Sequence, residues 1–341
     1  MVRSHTLALL LVVLAQSTSE SLAEPSQRTV WTTSRFIGSP DPPKPFTVEL
    51  AFPHFELPNL VYLEREPAAD TFLLVQHIVN WNGPTRILRV RPAGSADDAE
   101  RLLELRHLVY SLAFHPDFEN NGFIYFFGNG RDASGARTNE ILRYTMDRNS
   151  GDIAEDSAKL IIAWPSAGHD GGGIAFDKSG LMYLSAGDGS STSDEHDTGQ
   201  RLDDLPGSIL RIDVDHVQAN QTYSIPADNP FVGQENVRPE IYAYGLRNPW
   251  RLTYDTISDQ LWTGINGQDL WESAQLVRKG ENYGWPIMEA NHPFQLERQI
   301  GPSPIVRNTV EHPHSEARSL TGGFVYRGDV WPELQGAYLY G

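Results

Sequence analysis

The chain has 341 residues, with 27 Lys and Arg against 44 Asp and Glu, a formal charge of −17. That balance excludes a general nucleic-acid binder, which needs clustered cations to neutralise phosphate, and it opposes docking on anionic lipid. A composition of 40% hydrophobic and 21% charged residues is globular, and the absence of Cys excludes disulfides, thiolate metal sites, Cys nucleophiles and c-type haem attachment.

At the amino terminus, Arg3 precedes an apolar run over residues 7–15, and a polar stretch leads to Ser21-Leu22-Ala23. A cation, a short apolar core and a small-residue site read as a secretory signal over residues 1–23, cut after Ala23. The run is too short to span a bilayer, and no other uninterrupted apolar run is long enough. The expectation is an exported protein, secreted or periplasmic, with a mature domain over 24–341 and no membrane span after cleavage.

Gly and Pro together make 52 turn-formers, a density that favours many short strands. Three segments share a signature: Arg86-Ile87-Leu88-Arg89-Val90, Glu140-Ile141-Leu142-Arg143-Tyr144 and Ser208-Ile209-Leu210-Arg211-Ile212. Each follows another apolar segment, starting at 72, 123 and 181, with a fourth start at 261. Further strands are expected at 112–114, 174–176 and 252–254. The unit reads as strand, Asp or Gly turn, strand, polar loop, strand, with the Ile-Leu-Arg segment closing it. Short antiparallel strands at this unequal spacing predict an all-β fold, a β-propeller. Residues 97–109 are the best helix candidate, set between blades. Residues 322–326 and 336–340 read as two strands of a last blade that is incomplete at the C-terminus. Its missing partners are expected from residues 30–36 or 46–52, unless the reading frame is truncated.

Three clusters carry polar chemistry. The first is His169-Asp170-Gly171-Gly172-Gly173 with Gly187-Asp188-Gly189. A hairpin turning near residues 178–180 brings His169 and Asp188 to the same end. Spacing leaves two readings open: a base with its orienting carboxylate, or a turn residue and a loop cap. The second is Tyr244-Gly245-Leu246-Arg247-Asn248-Pro249-Trp250 at a strand start, suited to a flat anionic ligand or to a structural network. The third is Asn266-Gly267-Gln268-Asp269, rich in oxygen donors of the kind that hold calcium. Residues 194–197 read as a solvated acidic loop. His312 and His314 alternate along an extended segment and so point opposite ways, which argues against a shared metal. A calcium-dependent hydrolase would need a cage of several carboxylates, and the sequence offers no such set.

His169, Gly171-Gly172, Phe176, Tyr183 and Gly187-Asp188-Gly189 resemble the core motif of the soluble quinoprotein glucose/sorbosone dehydrogenases, the aldose sugar dehydrogenases. Leu112-Ala113-Phe114-His115-Pro116-Asp117-Phe118, Tyr244-Gly245-Leu246-Arg247-Asn248-Pro249 and Asn282-Tyr283-Gly284-Trp285 extend the likeness over roughly residues 45–341. The resemblance implies a six-bladed β-propeller binding pyrroloquinoline quinone (PQQ) and calcium. His169 would be the base for the anomeric hydroxyl of an aldose or related alcohol, with hydride passing to the quinone. Asp188 would orient His169. Arg247 and Asn248 would contact the quinone oxygens, with Arg106 near the position of a cofactor-touching glutamine. The carbonyls of Gly267 and Gln268 would hold calcium. Electrons would leave to a separate acceptor such as a cytochrome or quinone. The Asn-Gly-Gln-Asp loop also resembles the Hedgehog-interacting-protein-like branch, whose implied role is a non-catalytic propeller that binds a protein or glycan.

Overall fold

The computed structural model describes residues 46–53, 55–79 and 82–341, so the expected signal and its cleavage site lie outside the described residues. The chain divides into two compact units, Met1–Ala51 and Phe52–Gly341. The described part of the first, residues 46–51, is irregular. All the described regular structure belongs to the second.

That unit is built from antiparallel meanders. The first blade is β1 (Leu60–Arg65), β2 (Phe72–Val79), β3 (Asn82–Val90) and β4 (Glu100–Leu105). The second is β5 (Leu108–Phe114), β6 (Phe123–Arg131), β7 (Arg137–Met146) and β8 (Ile153–Pro165). The third is β9 (Ile174–Phe176), β10 (Leu181–Ala186), β11 (Ser208–Asp213) and β12 (Ile241–Tyr244). The fourth is β13 (Pro249–Asp255), β14 (Gln260–Ile265), β15 (Trp271–Val277) and, after the small hairpin β16 (Met288–Glu289) and β17 (His292–Pro293), β18 (Val310–Pro313). A two-stranded sheet, β19 (Gly323–Val325) with β20 (Tyr338–Tyr340), follows where the last two strands were expected. Residues 46–52 form no strand and so do not extend it; residues 30–36 lie outside the described residues.

Two expectations are corrected. The Ile-Leu-Arg segments lie in β3, β7 and β11, the third strands, and a fourth strand closes each blade outside them. Residues 97–109 are not helical: after a 3-10 turn at Ala96–Asp98 they form β4 and enter β5. Leu103, Leu105 and Val109 are buried between the first two blades, and that packing overrides the charged, helix-compatible look of the segment. Among the described residues no helix is long and apolar enough to cross a membrane.

The apolar runs are continuous because each inner sheet is covered on both faces. Along β6, Ile124 and Phe126 pack with Leu73, Ile87 and Leu112 towards the first blade. Tyr125 and Phe127 pack with Trp164, Ile174 and Met182 towards the third. In β11, Leu210 and Ile212 join that same core, whereas Ile209 packs with Tyr183, Ala243 and Leu252 towards the fourth. Strand alternation thus sends successive residues into successive inter-blade cores.

The first strands β1, β5, β9, β13 and β19 pack one on the next. Arg251 of β13 reaches across their centre, donating from Nη1 to the Tyr110 carbonyl at 3.0 Å and from Nη2 to the Val61 carbonyl. Its guanidinium lies 4.6 Å from the Tyr62 ring centroid. The start of each first strand and the end of each second strand share one rim. His169, Asp188, Arg247, Asn248 and the 266–269 loop all sit on that rim.

Candidate functional site

The β9–β10 hairpin is closed by Asp177, whose Oδ1 accepts from the amides of Ser179 and Leu181 at 2.8 and 3.0 Å. Register pairs Phe176 with Met182 and Ile174 with Leu184, so His169 and Asp188 emerge at the same end. The His169 amide donates to the Ser190 carbonyl at 2.8 Å, and the Gly189 amide to the His169 carbonyl at 2.9 Å. This close approach requires glycine: a Cβ at Gly187 would stand 2.4 Å from the His169 carbonyl oxygen.

Asp188 is fully buried. Its Oδ1 lies 2.9 Å from His169 Nδ1 and accepts the Ser190 amide at 2.9 Å. Its Oδ2 accepts the Trp285 indole N–H at 2.8 Å. Three nitrogen donors converge on one carboxylate, which places the imidazole hydrogen on Nδ1 and the lone pair on Nε2. That Nε2 makes no hydrogen bond among the described residues, and the side chain is 17% exposed. The arrangement is an imidazole held in one tautomer with its basic nitrogen accessible.

The support beneath Asp188 was not visible in the sequence. The Thr198 hydroxyl donates to the Asp188 carbonyl at 2.6 Å. Thr198 is in turn held by Asp194, which accepts the Thr198 amide at 2.9 Å on Oδ1 and the Gly199 amide at 2.9 Å on Oδ2. The loop at 194–197 is solvated at Glu195, His196 and Asp197, as expected, and the expectation is corrected at Asp194 alone, which has no exposed surface because its carboxylate organises the loop amides. Trp285 lies in the Asn282-Tyr283-Gly284-Trp285 motif, and the sequence alone assigns its indole no role. It follows Gly284, whose φ of 92° lies in the region that favours glycine.

Arg247 is 8% exposed. Its Nε donates to Gln268 Oε1 at 3.1 Å and its Nη1 to the Asn266 carbonyl at 3.0 Å, while Nη2 has no hydrogen bond among the described residues. The guanidinium carbon stands 5.6 Å from the Trp285 ring centroid. Burial lowers its pKa from the ordinary arginine value, opposed by Asp188, Glu272, Glu289 and Asp269. Asn248 accepts the Gly171 amide at 3.1 Å and faces Asn266 Oδ1 at 3.4 Å. Its amide therefore ties the His169 loop to the 266–269 loop.

Glu289 Oε1 accepts the amides of Gln268 at 2.7 Å, Asp269 at 2.5 Å and Leu270 at 3.1 Å. Glu272 Oε1 takes the Gly267 amide at 3.3 Å. With the amides turned to these buried carboxylates, the carbonyls of Gly267 and Gln268 accept no hydrogen bond among the described residues. Hard oxygen donors of that kind fit calcium. No group of three or more His, Asp or Glu among the described residues is arranged to hold a metal, so a cation here would rest on carbonyls. His312 and His314 diverge as expected: His312 Nε2 meets Tyr340 Oη at 2.9 Å, and His314 Nε2 meets Glu272 Oε1 at 2.9 Å.

The Arg106 side chain makes no hydrogen bond or ion pair to this group among the described residues. It lines a cavity of about 540 Å³ between the first two blades, with Gly83, His107, Asn129, Arg131 and Arg137.

The fold is an all-β propeller carrying an oriented imidazole and a buried guanidinium on one rim. The glucose/sorbosone dehydrogenase family model matches residues 109–341, and the chain belongs to that family. It is 30% identical to the HIPL1 protein of Arabidopsis thaliana over 291 residues, 68% of this chain and 42% of that protein. It is 32% identical to the human Hedgehog-interacting protein over 250 residues, 68% of this chain and 33% of that protein. The chain thus spans less than half the length of these curated relatives. Among solved structures, the PQQ-bound aldose sugar dehydrogenase of Streptomyces coelicolor superposes with a TM-score of 0.59 at 22% identity. The match covers 79% of this chain and 72% of that one.

Proposed function

We propose that the protein is an exported quinoprotein dehydrogenase that oxidises the anomeric hydroxyl of an aldose or a related alcohol. The observation that carries this reading is the His169–Asp188 pair, with Nδ1 committed to a buried carboxylate and Nε2 left accessible. In this role His169 Nε2 accepts the hydroxyl proton, and Asp188 stabilises the imidazolium that results. Trp285 and the Ser190 amide keep Asp188 from rotating away. Arg247 Nη2 and the carbonyls of Gly267 and Gln268 are the groups that would hold PQQ and calcium. When bound, the quinone supplies a two-electron acceptor for the hydride that leaves the anomeric carbon. A separate cytochrome or quinone then takes the electrons onward. A six-bladed ring is part of the same proposal, since four blades and the two-stranded β19–β20 sheet are described.

The second reading, a non-catalytic propeller that binds a protein or glycan, draws on the likeness to the Hedgehog-interacting protein. One experiment separates them. Purified chain is titrated with PQQ and calcium, and the quinone absorbance and dye reduction are followed with a panel of aldoses. Cofactor uptake with sugar-dependent bleaching supports the dehydrogenase; absence of uptake at micromolar PQQ supports the binding module.

A further inference from the structure

The cavity between the first two blades is lined by three guanidiniums, and they are not used alike. Arg137 Nη2 donates to Asp170 Oδ2 at 2.7 Å, and Asp170 is buried, immediately follows His169, and accepts Ser166 Oγ at 2.5 Å and Tyr110 Oη at 3.1 Å. The Arg131 side chain has one hydrogen bond among the described residues, from Nη1 to the Gly135 carbonyl at 2.8 Å. Arg106 has none among the described residues. Neither Arg106 nor Arg131 has a carboxylate partner there. Glu140, which lies against Gly130 of the lining, is taken up by His107 Nε2 at 3.1 Å and the Thr138 hydroxyl at 2.6 Å. In a chain of net charge −17, two unopposed guanidiniums sharing one cavity are a local reversal of sign. The cavity volume, about 540 Å³, is in the range that takes small organic ligands. Exposed guanidiniums in such a cavity suit a carboxylate or phosphate oxygen pair.

We infer that this cavity is a subsite for the anionic group of an acidic sugar, a uronic acid or a sugar phosphate, read by Arg106 and Arg131. Arg137 links it through Asp170 to the loop that presents His169. The inference rests on the proposed sugar-handling role and names the substrate class for it.

The test is calorimetric titration of the full chain without added cofactor, using glucuronate, glucose 6-phosphate, glucose and inorganic phosphate. At low salt at least one acidic sugar binds about tenfold more tightly than glucose or phosphate, and the two acidic arms tell carboxylate from phosphate recognition. R131Q lowers that preference several-fold, and R106Q/R131Q brings the ratio of acidic-sugar to glucose affinity to about one. R131K retains part of it, because charge survives and the planar fork does not. High salt has the same effect as the double substitution. Acidic sugars binding no better than glucose, phosphate alone binding as well as they do, or a preference that survives R106Q/R131Q would each overturn the inference. Because no PQQ is added, a failure of the dehydrogenase reading shows in cofactor uptake and leaves this titration readable.

Discussion

The third-blade rim around His169 and the neighbouring rim around Arg131 share one face of the propeller and are built in opposite ways. At His169, polar groups are buried and paired: Asp188 meets three N–H donors, and Asp194 holds the loop beneath it. At Arg131, charge stands in an open cavity, and two guanidiniums have no acidic partner among the described residues. Buried, satisfied polar groups rigidify, since every displacement leaves an unpaired atom in a dry environment. Exposed, unopposed charges contribute little to the fold and remain available to a ligand. The contrast separates a place built for orientation from a place built for attraction.

The largest expected effect tests the first half. His169→Ala should lower kcat by about 10³-fold or more, while PQQ affinity, read by absorbance titration, changes about twofold or less. Activity that survives would remove the base from His169. Trp285→Phe is next. It strips one donor from Asp188 and leaves Oδ2 buried without a partner, so Tm should fall by the equivalent of about 1–3 kcal/mol. As a positioning residue Trp285 should affect kcat by about tenfold, shift the pH profile of kcat and leave KM nearly untouched. A loss in KM alone would contradict that role.

Glu289→Gln probes the 266–269 loop. Weakening the acceptor of three loop amides should reduce calcium affinity, measured by intrinsic fluorescence titration, about tenfold. A pH effect follows from Asp204, near Asp188 in the third blade. Burial raises its carboxyl to about 6, and Oδ1 has no partner among the described residues. The folded chain then binds more protons than the unfolded chain between the ordinary Asp value, about 4, and about 6. Its contribution to stability is therefore present at low pH and declines as pH rises through that window. Asp204→Asn should flatten this slope in a Tm-against-pH series. The smallest effect is on the other rim: Arg131→Gln should shift stability by about 0.5 kcal/mol or less in urea unfolding, because it breaks one exposed bond to a carbonyl. A large loss there would erase the contrast between the two rims.

Much of the fold was legible in local pattern. The apolar runs at Phe72, Phe123 and Leu181 are strands because β-branched and aromatic side chains fit sheets covered on both faces. The return of His169 and Asp188 to one end was readable too, since a hairpin with its turn at Asp177 and Gly180 has a countable register. The fourth strands were hidden. β4, Glu100-Arg101-Leu102-Leu103-Glu104-Leu105, is an outer strand with charge on its solvent side, and its pattern does not distinguish strand from helix. Asp194 looked solvated because four polar residues in a row say nothing about which one turns inward.

By itself, the sequence determined an all-β repeat, the punctuation of its hairpins and the residue types that meet at the His169 end, because those depend on neighbours a few positions away. The tertiary structure alone decided that Trp285, 97 residues from Asp188 along the chain, donates to it, and that Glu289 gathers the amides of a loop 20 residues earlier. It also decided that Arg106 and Arg131 share a cavity. Burial and partner choice are set by which blades stack, and strand periodicity carries no record of that.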